Sequence, residues 1–405
     1  MELAPLFRTV IGLDVHHNKI SACALWSRED GTTESEIREF GGFKRDLRAL
    51  AEWVKAKAPE QVVMESSGIY WKSPFAALER VGIVALVVNA RHVKNVPGRK
   101  TDIADAHWLA MLARAGLLRG SFVPPANLRA LRLVSRQRQK LVGILSGEKN
   151  RLHKVLADAG IRLSAVVSDL HGKTARRLIN GLLEGRRPQE LLAMCDTSRL
   201  KASQEELLDA LAGDLTAEHV FVARHLQRHI QTLEADIAEY DRHLLSSLDE
   251  YRDLLVLLQT LPGVDASGAA MMLVEIGDDM SVFGSAERLA SWVGLCPGNN
   301  ESAGKKKSGR IRKGNPWLRR LLCEFAQAAA KTRSGLQAKF QALSLRRGYK
   351  RAIVALAHKL LRIVYVLISR REYYRDSTID YEAQMVARNA PRWFKMLRKH
   401  GFLTT

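Results

Sequence analysis

Cysteine is scarce in this chain, and its spacing excludes two kinds of framework. The sequence has four cysteines, none of them in a CxxC pair: Cys23, Cys195, Cys296 and Cys323. A disulfide-stapled fold or a structural zinc site needs clustered cysteines. We therefore expect reduced, partly buried thiols, as in a cytosolic protein.

Long apolar runs are missing as well. No stretch reaches the ~18 consecutive uncharged apolar residues that a transmembrane helix needs, so we expect no membrane span. The first residues, Met1-Glu2-Leu3-Ala4, lack the basic start and the apolar middle of a signal peptide. The two absences together predict a cytoplasmic protein.

Positive charge is present in excess, and it is confined to one part of the chain. The 405 residues are 46% apolar, which is enough for two or three domains with proper cores. Residues 305–405 hold 25 Lys and Arg against 5 Asp and Glu, whereas residues 1–304 hold 38 of each. An excess this local predicts a surface that binds a polyanion, with nucleic acid as the natural partner. A soluble basic tail is the weaker interpretation, because apolar periodicity continues through the segment.

Four carboxylates stand at the ends of predicted elements. Asp14 and Glu65 each close an apolar run, and Asp102 and Asp105 lie three apart where a helical pattern opens. A carboxylate directly after a buried strand is costly unless it is solvated, paired or metal-bound. Taken alone, Asp102 and Asp105 are better explained by the preference of acids for helix N-termini. Together the four acids predict a site for two Mg²⁺ ions, which prefer oxygen ligands and stabilise both the attacking and the leaving oxygen of a phosphodiester.

The order of predicted elements is that of an RNase-H-like α/β domain. Strands are predicted within residues 8–26 and 37–40, and a helix follows near 47–54. Strands at 61–64 and 83–88 alternate with helices at 73–81 and 102–115, the last of which ends at Gly116, a favoured C-cap. This fold gathers acids from two strand ends and a helix start around its metal ions.

Two long helices are predicted after the boundary at Pro124-Pro125. The helix over 126–158 carries a basic stripe that suits a phosphate backbone, although a solvated charged face explains it about as well. The helix over 217–257 repeats apolar residues at spacings of 4 and 3, which predicts a seam against another helix. Its partner is either the 126–158 helix or a second protomer. The basic stripe consists of Arg129, Arg132, Arg136 and Lys140.

A third unit begins at Leu261-Pro262-Gly263-Val264, which resembles half of a helix-hairpin-helix that contacts DNA phosphates; a plain turn between helices is nearly as good an explanation. A Gly-, Lys- and Arg-rich loop over 294–315 then carries two serines, before a helix over 316–331. On residues alone, a flexible phosphate-binding loop with incidental serines is the stronger interpretation. The alternative is a serine nucleophile, which needs a base, a metal or a dense positive field. The predicted nucleic-acid contacts here are Gly263, Lys305, Lys306, Lys307, Arg310, Arg312, Lys313, Arg319 and Arg320.

These motifs, in this order, resemble the RuvC-like DEDD transposases of bacterial insertion sequences. The family is called insertion-sequence one-ten, and the chain looks most like its one-one-one-one branch. The similarity runs across nearly the whole chain, and the ordered set is more specific than any single motif. The motifs are Gly12-Leu13-Asp14-Val15-His16, Glu65-Ser66-Ser67-Gly68-Ile69-Tyr70, Lys100-Thr101-Asp102-Ile103-Ala104-Asp105-Ala106, Leu261-Pro262-Gly263-Val264, Gly294-Leu295-Cys296-Pro297, Ser302, Gly304-Lys305, Gly309-Arg310-Ile311 and Lys313-Gly314-Asn315.

The resemblance implies a composite active site. The four matching acids bind Mg²⁺, and the serine matching Ser302 is the nucleophile of a strand exchange through a Holliday-junction-like intermediate. The acids of one protomer are expected to meet the serine of another in a tetramer made of two dimers. The family's Ser-Gly pattern is Ser302-Ala303-Gly304 here, and its Lys-Arg-Gly-Asn is shortened to Lys313-Gly314-Asn315. Ser302 therefore fits by spacing, and Ser308 is the alternative.

The resemblance also implies partners and a domain plan. A non-coding bridge RNA is expected to pair with target and donor DNA. We expect a RuvC-like DEDD domain over 1–123, a long basic helix and coiled-coil region over 124–258, a transposase domain over 259–345 and a basic helical segment over 346–405. Tyr70 and Trp71 are candidate stacking contacts for nucleic acid, with core packing as the equal alternative.

The sequence therefore predicts an RNA-guided, Mg²⁺-dependent DNA transposase or recombinase with a serine nucleophile. We expect it in the bacterial cytoplasm, associated with the nucleoid when bound to DNA. A RuvC-type Holliday-junction endonuclease, in which water attacks, is the second prediction. A non-catalytic nucleic-acid-binding protein is the third.

Overall fold

The computed structural model describes residues 5–403 apart from 67, 91–92, 94–104, 199, 298–299, 303–304, 309 and 377–380. Side chains are not described for 300–302, 305–308, 381–382 and 384–385. The chain divides between Val123 and Pro124 into two compact units, Met1–Val123 and Pro124–Thr405.

A five-stranded mixed sheet forms the centre of the first unit, in the strand order β3-β2-β1-β4-β5. The first three strands form an antiparallel meander, β4 runs parallel to β1, and β5 runs parallel to β4. This order confirms the RNase-H-like, RuvC-like fold expected from the sequence. The strands are β1 (Thr9–Val15), β2 (Lys19–Ser27), β3 (Thr33–Gly41), β4 (Gln61–Glu65) and β5 (Ala85–Val88).

Helices cover both faces of this sheet, because successive strand residues point to opposite sides. Ile11 and Met64 are buried in the core beneath the first two helices. Val10 and Val63 are buried in the core beneath the third helix. The helices are α1 (Lys44–Ala56), α2 (Lys72–Arg80) and, as far as it is described, α3 (Asp105–Arg114).

The described part of the second unit is helical apart from one β-hairpin. Its first half consists of two long helices and four short ones between them, which share an apolar core with the end of the first long helix and the start of the second. The helices are α4 (Ala126–Asp158), α5 (Leu163–Val166), α6 (Lys173–Leu183), α7 (Pro188–Met194), α8 (Gln204–Leu211) and α9 (Ala217–Ser246).

The long helices α4 and α9 pack against each other within the chain. Arg138 donates two hydrogen bonds of 2.9 Å to Asp241, and Lys149 lies 2.9 Å from Glu234. The predicted seam of α9 therefore has a partner in cis. The prediction that α9 runs to residue 257 is wrong: it ends at Ser246, and a 3₁₀ turn follows at Asp249–Tyr251.

Seven further helices and the hairpin make up the rest of the second unit. The predicted flexible loop over 294–315 is corrected, because it contains two paired strands. The elements are α10 (Arg252–Gln259), α11 (Ala266–Ile276), a 3₁₀ turn (Ser281–Phe283), α12 (Ala286–Val293), β6 (Asn300–Ser302), β7 (Lys305–Ser308), α13 (Pro316–Ala329), α14 (Gly335–Arg347), α15 (Tyr349–Arg370) and α16 (Tyr381–Lys399).

Helix α15 is the most apolar long helix of the described residues. By length and composition it could cross a membrane, but half of its most apolar stretch is buried. Lys359 and Arg362 interrupt its apolar residues, so α15 holds no run of ~18 uncharged apolar residues. Leu356, Leu360 and Val364 are fully buried, and α15 packs against α12, α13 and α14. These contacts make α15 a core helix of the second unit.

Candidate active site

Asp14 and Glu65 lie at the same end of two neighbouring parallel strands. Strands β1 and β4 pair in register up to Leu13 opposite Met64, and in each strand the next residue is the acid. The carboxyl ends of parallel strands share one edge of a sheet, so the register places the two acids next to each other on adjacent strands. The first two acids predicted from sequence are thus brought together by the sheet.

Helix α3 is packed directly on β1 because position 12 is a glycine. A Cβ atom there would lie 2.2 Å from the carbonyl oxygen of Ala106 and 2.6 Å from the amide nitrogen of Ala110. Residues two apart in a strand face the same side, so Asp14 faces α3 like Gly12. The described part of α3 begins at Asp105, directly before the contact. Backbone packing therefore directs this third acid toward the same end of the sheet.

The donor chemistry of this sheet end fits a hard divalent cation. The side chain of Asp14 is 18% exposed, and its Oδ2 lies 3.0 Å from Nε2 of His16. Within the described residues, no three His, Cys, Asp or Glu side chains are gathered into a metal-binding group. Asp102 lies outside the described residues. The fit of Mg²⁺ thus depends on the oxygen chemistry of carboxylates at rigid strand ends, which is the kind of ligand that Mg²⁺ selects.

His16 is a neighbour of this site that the sequence pattern did not predict as a functional residue. Its signal was the position two residues after Asp14, beyond the end of β1. His16 and Lys19 line a surface pocket together with His17, Gly68 and Tyr70. A surface pocket lined by two histidines, Lys19 and the ring of Tyr70 thus lies next to the first of the acids.

The two candidate stacking residues have different surroundings. Tyr70 is 42% exposed, and its ring meets that of His17 edge to face at 5.2 Å. Trp71 packs against the core cluster, with Phe75 edge to face at 5.7 Å. Tyr70 keeps a ring surface that a base can reach, whereas core packing accounts for Trp71.

The serine-bearing segment is closed at its base. We call residues 296–312 the serine hairpin. Ser302 pairs with Lys305 across its two strands, and Asn300 pairs with Ser308. A bridge between Pro297 and Ile311 continues the pairing toward the base. The side chains of the serines and of three predicted contacts are outside the described residues: Ser302, Ser308, Lys305, Lys306 and Lys307.

Two glycines allow close backbone contact between the segments that flank the serine hairpin. Gly294 has φ +81°, and a Cβ atom on it would lie 2.6 Å from the carbonyl oxygen of Arg312. A Cβ atom on Gly314 would lie 2.3 Å from the carbonyl carbon of Val293. No other residue fits either position without moving backbone, so the two glycines hold the chain before the hairpin against the chain after it.

A buried carboxylate lies beneath this base. Glu275 of α11 is 0% exposed and receives two hydrogen bonds from Arg136, Nε to Oε1 at 2.8 Å and Nη2 to Oε2 at 3.0 Å. Nε of Arg132 lies 3.4 Å from Oε2, and its guanidinium also donates to the backbone carbonyls of Val274 and Glu275. The sequence interpretation missed this group, whose only signal was a single acid in the apolar run 269–276.

The third partner of Glu275 is Asn315, which follows the serine hairpin and precedes the first residue of α13. Its Nδ2 donates to Oε2 of Glu275 at 2.7 Å. Its Oδ1 accepts from the amides of Trp317 and Leu318 at 3.0 and 3.2 Å, so the same side chain caps α13. Only this orientation of the amide satisfies both sides, because a flipped amide would place donor against donor and oxygen against carboxylate.

Glu275 and Arg132 of this cluster both have shifted pKa values. Burial raises the pKa of Glu275, but the hydrogen bond from Arg136 and the positive charges of Arg132 and Arg136 outweigh it and leave the pKa below its ordinary value. Burial lowers the pKa of Arg132 to about 10, which leaves its guanidinium protonated. One buried carboxylate is thus shared by two guanidinium groups and one amide.

The predicted basic stripe of α4 is divided by this cluster. Arg132 and Arg136 are directed to Glu275, with side chains only 14% and 29% exposed, so their first role is structural. Arg129 donates to the carbonyl of Pro124 at 3.1 Å. Lys140 is exposed. The interpretation of the four residues as one continuous phosphate-facing stripe is corrected accordingly.

Of the other predicted nucleic-acid contacts, some have structural roles and some are exposed. Gly263 has φ +86°, and a Cβ atom on it would lie 2.7 Å from both the amide nitrogen of Ala329 and the carbonyl oxygen of Phe325. Close packing against α13 therefore accounts for this glycine. Arg320 pairs with Glu324 one turn along α13 at 3.0 Å. The exposed residues of the set are Arg310, Arg312, Lys313 and Arg320, and Arg319 is half-buried.

Two family profiles match the chain. The profile described as "Transposase", DEDD_Tnp_IS110, covers residues 11–161, and that described as "Transposase IS116/IS110/IS902 family" covers residues 255–341. The chain belongs to the IS110 family of transposases. The first profile spans all four predicted acids, and the second spans Glu275 and the serine hairpin. This IS110 transposase is therefore an enzyme that acts on DNA by transposition or recombination.

Curated proteins match most of this IS110 transposase. The "Probable family 20 transposase" of Pseudomonas aeruginosa is 27% identical over 80% of this chain and 89% of that protein. The "Transposase for insertion sequence element IS1111A" of Coxiella burnetii is 26% identical over 78% of this chain and 79% of that protein. The "Pilin gene-inverting protein" of Moraxella bovis is 25% identical over 89% of this chain and 96% of that protein.

Among solved structures, the Thermus thermophilus RuvC structure matches 28% of this chain and 99% of its own, at 14% identity and a TM-score of 0.22. The RuvC-like character of the first unit rests on its strand order and on the pairing of its strands.

Proposed function

We propose that this IS110 transposase cuts and rejoins DNA strands at a Mg²⁺ site formed by Asp14, Glu65, Asp102 and Asp105, with Ser302 as the nucleophile. The observation that carries the proposal is the register of β1 and β4, which puts Asp14 beside Glu65. The packing of α3 on Gly12 supports it, because it brings Asp105 to the same sheet end. A basic hairpin with a serine in the second family domain supports the choice of nucleophile.

The four acids and the serine hairpin have different parts in the proposed reaction. Bound Mg²⁺ would stabilise charge on the attacking and the leaving oxygen of the phosphodiester. The Oγ of Ser302 forms a bond to phosphorus while the bond from phosphorus to the leaving strand oxygen breaks, and that oxygen takes up a proton. In the second step a strand hydroxyl attacks the phosphoserine, and Ser302 leaves with its hydroxyl restored. The Lys and Arg residues of the hairpin segment would favour the alkoxide of the serine.

DNA binding is assigned to exposed basic side chains. Arg310, Arg312 and Lys313 lie in the segment between β7 and α13 and are exposed, as is Lys140 on α4. Exposed Lys and Arg bind phosphates by releasing counterions, which gives affinity without sequence preference. Tyr70 adds an exposed ring beside the acids, where a base could stack.

The partners beyond DNA are proposed from family membership. A bridge RNA would supply the sequence recognition that non-specific phosphate contacts lack. The proposed oligomer is a tetramer of two dimers, in which the acids of one protomer meet Ser302 of another. Purification of the chain with its bound nucleic acid from cells that carry the element, followed by sequencing of the RNA, tests the guide. Mixing an Asp14→Asn chain with a Ser302→Ala chain tests trans completion, because only a shared site restores activity.

The experiment that tests the nucleophile compares two serines of the same hairpin. Ser302→Ala should abolish the covalent protein–DNA adduct while DNA binding survives, and Ser308→Ala should keep the adduct. An unchanged adduct yield in Ser302→Ala would rule out Ser302 as the nucleophile. Strand cleavage without any adduct in either chain would favour attack by water, as in a RuvC-type junction endonuclease.

A further inference from the structure

Outside the proposed site, a buried cluster of charged and polar side chains surrounds Glu275. It joins three parts of the second unit: α4 through Arg136, α11 through Glu275 itself, and the start of α13, just after the serine hairpin, through Asn315. A buried carboxylate with this many partners is not needed for stability alone, since apolar residues of similar volume often serve as well. Its specific partners suggest a positional role.

The contacts of Asn315 connect the cluster to the serine hairpin. The amide nitrogen of Asn315 donates to the carbonyl of Trp292 at 3.4 Å, and the preceding Gly314 packs against Val293 and Gly294. Arg312 donates its amide to the carbonyl of Cys296, also at 3.4 Å. The base of the hairpin is therefore held on one side by backbone contacts and on the other by the bond from Asn315 to Glu275.

We propose that Glu275 and Asn315 are positioning residues, which fix the direction in which the serine hairpin leaves the second unit. Arg136 holds the carboxylate at two points, so the oxygen that accepts from Asn315 has a set place. The N-cap of α13 holds the other end of the same amide. Because both ends of one side chain are bound, the chain at Asn315 enters α13 in one fixed direction. The inference rests on the proposed function, because the fixed direction matters only if Ser302, carried by the hairpin, is the nucleophile.

A pair of substitutions separates the bond to Glu275 from the helix cap. Asn315→Ser keeps an oxygen that can cap α13 but is too short to reach Glu275. Glu275→Gln keeps the shape but replaces one acceptor oxygen by a donor that faces donors, and it leaves two buried guanidinium groups without their counter-charge. Asn180→Ser is the matched control, because Asn180 is an exposed residue of α6 whose side-chain oxygen accepts from the side chain of Gln227 at 2.7 Å.

The test measures three quantities on the full chain: the rate of adduct formation with a DNA substrate, the affinity for the same DNA, and hydrogen exchange of the backbone amides in β6 and β7. We expect Asn315→Ser to slow adduct formation by roughly 10- to 100-fold, since a displacement of about 1 Å costs that much. Its DNA affinity should stay within about twofold, and its hairpin amides should exchange faster. Asn180→Ser should change none of the three.

Three results in Asn315→Ser would overturn the proposal. The first is a normal rate of adduct formation, even with faster exchange. The second is a slower rate without faster exchange of the hairpin amides, and the third is a slower rate that weaker DNA binding explains in full. If Glu275→Gln fails to fold by circular dichroism, Asn315→Ser still carries the test. Hydrogen exchange needs no nucleophile, so a persistent adduct in Ser302→Ala would reject the proposed function while the exchange result still decides whether the bond orders the hairpin.

Discussion

Gly12 and Ala106 bring strand β1 and helix α3 together backbone to backbone. The carbonyl oxygen of Ala106 lies where it would be 2.2 Å from a Cβ atom on Gly12. Asp14 comes two residues after that glycine, and Asp105 comes directly before that alanine. The separation of these two acids is therefore set by one close contact between a strand and a helix.

Gly12→Ala should disturb both the fold and the activity of the first unit. The added methyl group must move α3 away from β1, and overpacking of this kind costs about 1–3 kcal/mol. We expect a lower urea midpoint and a loss of strand exchange. Gly147→Ala is the control, because a Cβ atom on Gly147 in α4 meets nothing within 4 Å and should be neutral or stabilising by ~0.5–1 kcal/mol. Normal activity and midpoint in Gly12→Ala would show that the close approach is not limiting.

Asp14→Asn and Asp105→Asn should each remove strand exchange without unfolding the protein. The amide keeps the size of the side chain but loses the charge that holds a divalent cation. Chelation of Mg²⁺ should have the same effect on the unaltered chain. Asp30→Asn is the matched control, since Asp30 accepts from Thr32 in an exposed turn. Full strand exchange by either test variant would rule out the proposed metal site.

Arg136→Ala should reduce stability, whereas Lys140→Ala should reduce DNA binding, although both residues belong to the predicted stripe of α4. Removal of Arg136 leaves the carboxylate of Glu275 buried and under-compensated, which costs about 3–5 kcal/mol of folding free energy. Removal of the exposed Lys140 should weaken DNA binding and leave the urea midpoint unchanged. Equal effects of the two substitutions on stability would contradict the division of the stripe.

Glu234→Gln should reduce the stability of the second unit in a pH-dependent manner. The hydrogen bond from Arg176, with a further contribution from Lys149, lowers the pKa of Glu234 from 4.5 to about 2. A folded-state pKa below the unfolded value stabilises the fold above pH 4.5, and the contribution is lost as the pH falls toward about 2. The urea midpoints of the variant and the unaltered chain should differ near neutrality and converge in acid. Glu239→Gln, at an exposed position of the same helix α9, is the control; a difference in midpoint that does not change with pH would refute the assignment.

DNA affinity should fall steeply with salt, because the excess of basic residues over 305–405 neutralises phosphates. Replacement of Arg310, Arg312 and Lys313 by alanine should reduce the slope of log affinity against log salt by roughly 0.9 for each phosphate that is no longer neutralised. Filter binding or fluorescence anisotropy between ~50 and ~200 mM salt measures this slope. A flat dependence would contradict electrostatic binding by this segment.

The amino-acid sequence by itself determined the strand ends, the RNase-H-like order and the presence of acids at those ends. The reason is local: an apolar run that stops at Asp14 or Glu65 must leave the core there, because a buried unpaired carboxylate is costly. The helices α4 and α9 were likewise predictable from their apolar periodicity. The end of α9 was not, since the break at Ser246 depends on a switch to the tighter hydrogen-bond pattern in which the amide of Leu248 bonds to Leu245.

Only the tertiary structure decided which side chains meet. Glu275 reads as one acid in an apolar helix, and its partners Arg136 and Asn315 are 139 and 40 residues away along the chain. The segment 294–315 reads as a flexible loop, yet Gly294 and Gly314 close it into a hairpin by backbone contact. Local sequence preferences predict neither the partners of Glu275 nor the closure of the hairpin. Both depend on contacts between residues far apart in the sequence, where burial and charge compensation outweigh the preferences of neighbouring residues.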